Sequence, residues 1–238
     1  VNHPPITLRY FAARGRAQFL RYYFHVRKIA FTDERVSLAS GGSEWPPVRD
    51  DRRLSGPFQK LPVLTWGDRL VAETLMIAAF VHEALGDARA LSDDDNLRHG
   101  MLTSSLCFDV MMPIGTLLWS EVAHPGADLQ ALASRTLERL AQHCKAVDQS
   151  LAEWRWLERA GRRRVMLADC LLFEELAVAE LVFGPRWSLA ATPTLAKFYE
   201  EFAGRSSCEA QLREQPAPIT ARPEEAAAIA KIQALLGA

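Results

Sequence analysis

One passage, residues 6–28, constrains the fold more than any other. Ile6-Thr7-Leu8-Arg9-Tyr10-Phe11 alternates as a half-buried strand does. Beyond Ala12-Ala13-Arg14-Gly15-Arg16, the residues Ala17, Leu20, Phe24 and Ile29 recur near helical spacing. The chain therefore begins with a strand that runs directly into a helix. Residues 29–38 alternate imperfectly as a second strand. Ser40-Gly41-Gly42-Ser43 has loop chemistry, and the prolines of Glu44-Trp45-Pro46-Pro47 permit only a short or irregular helix. Leu61-Pro62-Val63-Leu64-Thr65-Trp66 reads as a further strand, turned by Gly67-Asp68 into a short partner at Arg69-Leu70-Val71. From Thr74, the residues Ile77, Phe80, Val81 and Leu85 keep helical spacing until Gly86 ends the run.

This order, β-α-β then β-β-α, predicts an α+β domain of thioredoxin-like arrangement over residues 1–85. Residues 86–95 are polar and acidic enough to be a linker. Residues 96–238 predict an all-α helical-bundle domain, with helical patterning over 96–120, 128–159, 168–183 and 192–203. Pro125-Gly126, Gly161, Gly184-Pro185 and Gly204 punctuate those segments. The alanine-rich tail, 224–236, predicts one more amphipathic helix.

Charge narrows the partners. The chain carries 28 basic and 29 acidic residues, so nothing electrostatic favours nucleic acid or a membrane surface. Arg162-Arg163-Arg164 after Gly161 reads as a solvated loop. No apolar run approaches the ~20 residues that span a bilayer, and Val1-Asn2-His3-Pro4-Pro5 lacks a signal-peptide pattern. Cys107, Cys144, Cys170 and Cys208 are far apart, and three of them sit among apolar neighbours in helical patterns. We expect reduced thiols in a cytoplasmic protein, and no metal site.

Tyr10 is the residue with chemical promise. A phenol at a strand end, just ahead of a helix N-terminus and two arginines, suits a thiolate. Its hydroxyl can donate to sulfur, while the helix dipole and a guanidinium favour negative charge. A thiol with a pKa of ~8.5 is only a few per cent ionised near neutrality, and lowering it by about two units takes ~2.7 kcal/mol of differential stabilisation. One phenolic hydrogen bond plus a nearby guanidinium is of that size. Spacing alone, however, favours a tyrosine that merely caps a buried strand.

The segment Tyr10-Phe11-Ala12-Ala13-Arg14-Gly15-Arg16 resembles the start of the tyrosine-type glutathione S-transferases, especially the sigma and alpha classes, which carry Tyr-Phe-x-x-Arg-Gly-Arg. A second segment, Pro57-Phe58-Gln59-Lys60-Leu61-Pro62-Val63-Leu64, resembles that family's Pro-Phe-Gly-Gln/Lys-Leu/Ile-Pro-Val-Leu. The resemblance implies the glutathione S-transferase fold, glutathione as cosubstrate, and Tyr10 as the catalytic tyrosine with Arg16 beside the thiolate. Tyr10, Phe11, Arg16 and Lys60 would line the tripeptide. Leu61 would pair with its cysteinyl backbone ahead of a cis Pro62. Thr74, as the cap of its helix, would hold the γ-glutamyl carboxylate with the helix N–H groups, and Glu73 would receive the ammonium. Trp45 and Arg49 would meet the glycine end. Arg14 is read as structural, and Gly15 as permitting a close approach at the helix start.

The departures from that pattern are specific. Gln59 stands where the family has glycine, which alters the approach to the strand. Met166-Leu167-Ala168-Asp169 keeps the aspartate of the family's Ser/Thr-x-x-Asp helix start but loses the hydroxyl cap, a loss of ~1 kcal/mol. The loop 157–164 replaces a compact Leu-x-Gly turn. The acidic residue that relatives offer across a dimer aligns near Ser104, with Asp109 reached only by a shift of register. For the second substrate, the candidates are Met101, Cys107, Met111 and Met112, since thioethers adapt to varied apolar partners.

These readings converge on a homodimeric transferase that joins the glutathione thiolate to small hydrophobic electrophiles. A glutathione-dependent isomerase or peroxidase would use the same residues, and a non-enzymatic glutathione-binding carrier or structural protein remains the third option. Thioredoxin or glutaredoxin chemistry is disfavoured, because Phe11-Ala12-Ala13-Arg14 supplies no redox cysteine.

Overall fold

The computed structural model describes residues 3–38, 44–123, 126–157, 164–205, 218–220 and 224–237. The expected loops 40–43 and 158–163, with Cys208, lie outside the described residues.

The opening strand, β1 (Ile6–Phe11), buries Ile6, Leu8 and Tyr10 on one face. Arg9 points to the other face, donates to the Leu54 carbonyl at 3.0 Å and pairs with Glu34. Through a short 3-10 turn, Gly15–Ala17, the chain enters α1 (Gln18–Val26) and returns as β2 (Thr32–Val36), parallel to β1. A parallel pair needs such a crossover, and α1 supplies it. Two short helices, α2 (Trp45–Asp50) and α3 (Arg52–Ser55), lead to the antiparallel hairpin β3 (Val63–Trp66) and β4 (Arg69–Ala72). The sheet order is β2-β1-β3-β4, and α4 (Thr74–Ala84) closes the unit. The N-terminal unit is thioredoxin-like, as its sequence predicts.

The rest is helical. Helix α5 (Asp87–Ala90) is short and falls inside the stretch read as a linker. Its Asp87 is buried; it accepts Arg27 Nη1 at 2.9 Å and the Tyr23 hydroxyl, which ties α1 to the start of the helical part. Helix α6 (Asp93–Ser105) is capped by Ser92, whose hydroxyl accepts the Asp95 N–H at 3.2 Å, and its first turn carries three aspartates that suit the dipole. Helix α7 (Met112–Ala123) follows, then α8 (Leu129–Glu153), α9 (Leu167–Phe183), α10 (Pro193–Ala203) and α11 (Glu225–Leu235).

The segment read as one helix over 96–120 is interrupted. A π-helical stretch, Leu106–Met111, joins α6 to α7. Pro113 explains its position. Proline has no N–H to give the preceding turn and its ring crowds the carbonyl four residues back, so the ladder must loosen just before it. The joined helical span corrects the hydropathy reading, because Asp93–Ser120 holds a stretch with mean hydropathy 1.5, apolar and long enough to cross a bilayer by composition alone. Its Leu102, Leu106, Val110, Ile114 and Leu117 are buried in the protein core.

Helix α9 is the spine of the helical part, and α1 packs along it with Tyr22 edge-on to Phe173 at 5.6 Å. Its start lacks a hydroxyl, as the sequence indicated, yet the loss is made good from elsewhere. The Ala168 N–H donates to His99 Nε2 at 3.3 Å, while Asp169 accepts the Met166 N–H and the Trp156 indole N–H, both at 2.8 Å. His99 itself stacks on His82 of α4 with centroids 4.1 Å apart. A side chain from another helix has taken over the cap. Cys107, Cys144 and Cys170 are buried free thiols.

Candidate active site

The turn between β1 and α1 is built to present Tyr10. Arg21, buried within α1, donates to the Ala13 carbonyl at 2.6 Å and pairs with Asp33 at 3.1 Å, so the turn is clamped from below. Gly15 has φ +35°, and a Cβ there would overlap the Tyr10 hydroxyl and come within 2.9 Å of Cε1. Only glycine leaves the phenol its place.

Tyr10 is 8% exposed, and its hydroxyl accepts the Arg16 backbone N–H at 3.1 Å. Burial pushes the phenol upward, against the smaller pull of the Arg16 N–H and of the Arg16 and Arg21 charges. The group therefore stays a neutral O–H at any ordinary pH. With a lone pair taken by Arg16, its proton is available to an acceptor in the adjoining cavity, and no acceptor meets it among the described residues.

That cavity, about 600 Å³, lies between the sheet end and the helical part. It brings together six of the residues singled out in the sequence: Tyr10, Phe11, Arg16, Trp45, Lys60 and Leu61. Phe11 bridges two of them, edge-on to Tyr10 at 5.4 Å and to Trp45 at 5.1 Å. Arg16 extends toward Met112, with Nη2 3.1 Å from its sulfur.

The other four are not on its lining. Arg49 is exposed and turns to Asp50, with Nε 2.8 Å from Oδ1, while its carbonyl accepts the Ser55 hydroxyl at 2.7 Å. The Leu61–Pro62 bond is cis, as the resemblance implies. Glu73 rather than Thr74 occupies the cap of α4, at φ +71°, a conformation that residues with a side chain rarely adopt. Thr74 is the first helical residue, and the Glu73 side chain makes no cap bond. Gln59 keeps the left-handed backbone of the glycine it replaces, with φ +53°.

Facing the sheet, α7 offers Met112, Ile114 and Trp119 to the cavity, preceded by Met111 from the π-helical stretch. Met101 and Cys107, singled out with them, do not line it. Met101 is exposed, and the Cys107 thiol is buried and pushed up to about 12 by desolvation. The tail adds Ile219 and Thr220. The Arg14 N–H donates to the Pro218 carbonyl at 2.8 Å, and Glu225 accepts the Ile219 N–H at 2.6 Å and the Thr220 hydroxyl at 2.5 Å.

Helix α9 contributes two acids that sequence reasoning passed over. Glu174 receives a bidentate pair of bonds from Arg14 at 3.0 and 2.9 Å, which makes Arg14 a structural residue joining the two parts. Glu175, one residue on, lines the cavity instead. The signal was present: Glu174-Glu175 interrupts the apolar run formed by residues 170–173 and 176–179. Among the described residues, no group of three or more metal-ligating side chains occurs.

No family model matches the chain. In sequence it is similar to hematopoietic prostaglandin D synthase of Gallus gallus, 31% identical over 104 residues, or 39% of this chain and 48% of that protein. The match thus spans about half of that relative's length. Glutathione S-transferase Mu 2 of Rattus norvegicus is 22% identical over 207 residues, covering 84% of this chain and 87% of its own. Among solved structures, the glutathione S-transferase from Ascaris lumbricoides superposes with a TM-score of 0.72 at 19% identity, covering 92% of this chain and all of that one. The monomeric glutathione S-transferase Na-GST-3 from Necator americanus gives 0.72 at 20% identity, covering 89% of this chain and 98% of that one. The chain thus has the glutathione S-transferase fold and is related to proteins of several glutathione S-transferase classes.

Proposed function

We propose that the protein is a glutathione transferase that conjugates the glutathione thiolate to small hydrophobic electrophiles. One observation carries the reading: a buried, neutral tyrosine hydroxyl whose proton is open to a 600 Å³ cavity. A thiolate placed there accepts the Tyr10 proton as a hydrogen bond, and the Arg16 guanidinium adds positive charge on the same side. Arg16 and Lys60 supply cations for a ligand that carries two carboxylates, and the aromatic wall of Phe11 and Trp45 packs its backbone. The N-terminus of α4, with Glu73 and Thr74, takes the γ-glutamyl end, and Leu61 the middle. Arg49 reaches the glycine carboxylate only by leaving Asp50. The acceptor enters against Met111, Met112 and Trp119, and holding both reactants in one cavity makes the encounter effectively unimolecular.

Similarity to prostaglandin D synthases gives a second reading, glutathione-dependent isomerisation, with the same tyrosine and the same thiolate. We place the protein in the cytoplasm as a homodimer. Exposed Phe58, Met76, Leu97 and Phe108, each about three-fifths accessible, support self-association. We place the domain limits at 1–85 and 96–238, with 86–95 between them. Retention on immobilised glutathione, followed by conjugation of 1-chloro-2,4-dinitrobenzene, tests the function. Retention with no turnover of any electrophile or isomerisable substrate defeats the enzymatic reading in favour of a carrier.

A further inference from the structure

One polar contact between the sheet side and α7 is left unexplained by the thiolate chemistry. Arg16, in the turn after β1, brings its Nη2 to 3.1 Å from the Met112 sulfur. No carboxylate pairs with that guanidinium among the described residues. Both residues line the cavity, and Met112 is 41% exposed, so small solutes have access to its side chain. The same Arg16 gives its backbone N–H to the Tyr10 hydroxyl at 3.1 Å. Met112, Arg16 and buried Tyr10 thus form one chain of contacts, with the thioether at its accessible end.

Sulfur elsewhere is poorly placed to react. Cys107, Cys144 and Cys170 are buried, and desolvation pushes the Cys107 and Cys144 thiols up to about 12, which keeps them in the unreactive protonated form. Met112 needs no ionisation to be oxidised. Its thioether is a weak acceptor, so Arg16 is held loosely in the reduced protein. A sulfoxide replaces that soft sulfur with a polar oxygen, and a charged donor bonds such an oxygen far more strongly.

We propose that Met112 is an oxidation site for peroxides, and that its sulfoxide draws the Arg16 guanidinium off the glutathione thiolate and slows conjugation. The consequence for catalysis rests on the transferase reading. In the chemical step, a lone pair of the Met112 sulfur forms a bond to one peroxide oxygen while the O–O bond breaks. The electron pair of that bond moves onto the departing oxygen. A proton passes through solvent from the attacked oxygen to the departing one, which leaves as water. Sulfur loses two electrons and the peroxide gains them. With its cation engaged on α7, the bound thiol ionises at higher pH.

The test treats the full-length protein with hydrogen peroxide, maps the oxidised methionines by mass spectrometry and assays samples at intervals. As Met112 sulfoxide accumulates, kcat/KM for 1-chloro-2,4-dinitrobenzene should fall about tenfold. The thiol pKa in the saturated glutathione complex, followed by thiolate absorbance, should rise by about one unit. Met101, 45% exposed and off the cavity lining, is the control. Met101→Leu should show the same fractional loss, and Met112→Leu less than a twofold loss relative to its own untreated rate. Methionine sulfoxide reductases should restore both readings. A loss that persists in Met112→Leu, or that follows another methionine, overturns the proposal. So does a Met112 that resists peroxide while Met101 is oxidised. A protein that fails to bind glutathione removes the transferase reading and this switch with it. Normal binding with thiol ionisation unmoved by Met112 oxidation removes the switch alone.

Discussion

The two walls of the cavity each keep a group protonated by burial, but their neighbours act on it in opposite directions. On the sheet side, Tyr10 sits in a clamped polar turn, where Arg16 and Arg21 pull against the desolvation that holds its proton. On the helical side, Glu175 sits in an apolar run, and its nearest charged neighbour, Glu174, adds to the push of burial. The contrast separates tuning from exclusion. A phenol surrounded by donors is poised to share its proton with an anion, while an acid surrounded by hydrocarbon keeps its proton until a stronger base arrives.

The bond that ties the walls together gives the largest expected effect. Arg14→Met removes both guanidinium donors from Glu174 and leaves the buried carboxyl only its Tyr22 hydrogen bond and the more distant Arg21 charge, a loss of ~3–5 kcal/mol of stability. Urea unfolding of the single variant and of Arg14→Met with Glu174→Gln measures it. If the double variant is no more stable than the single one, the pair is not what joins the walls.

Next in size is the sheet side itself. Tyr10→Phe keeps the ring and removes the proton, so kcat/KM for conjugation should fall about 100-fold, the worth of one preorganised donor to a developing or stored anion. Glutathione affinity by calorimetry should stay within about threefold, because the ring packing is intact. Undiminished turnover assigns thiol activation to another group.

The helical side has a thermodynamic signature. The native Glu175 carboxyl retains a proton that the unfolded chain releases above about 4.5, so the native state binds more protons and stability declines as pH rises through that window. Glutamine does not titrate. The Tm of Glu175→Gln relative to the unaltered protein should therefore climb between about pH 4 and about pH 7. A flat difference shows that the carboxyl ionises normally in the fold.

The smallest effect tests the strand that floors the site. Gln59 holds a left-handed backbone that costs a residue with a Cβ ~1–2 kcal/mol, partly offset by the greater freedom a glycine has when unfolded. Gln59→Gly should gain ~0.5 kcal/mol by thermal melting and leave Tyr10 chemistry alone. Destabilisation would mean that the glutamine side chain supports the turn.

Local rules made much of the sheet side legible. Alternation located β1, the Gly67-Asp68 turn located the hairpin, and Gly15 pointed to a close approach at the helix start, which the structure sets against Tyr10. Arg49 and Thr74 were less legible, because their partners are decided by which way a side chain turns at an exposed helix end. The helical side hid more. Pro113 marked the π-helical stretch and Glu174-Glu175 marked a buried polar pair, yet helical periodicity treats both as noise. His99 capping α9 from another helix left no local trace at all.

The sequence by itself determined what short-range chemistry can: strand and helix periods, turn residues, and a phenol placed ahead of a helix start. Tertiary structure alone decided which of two adjacent glutamates meets Arg14 and which meets the cavity. One residue of helix turns a side chain by roughly 100°, and only the packing of α9 against α1 fixes where that rotation points.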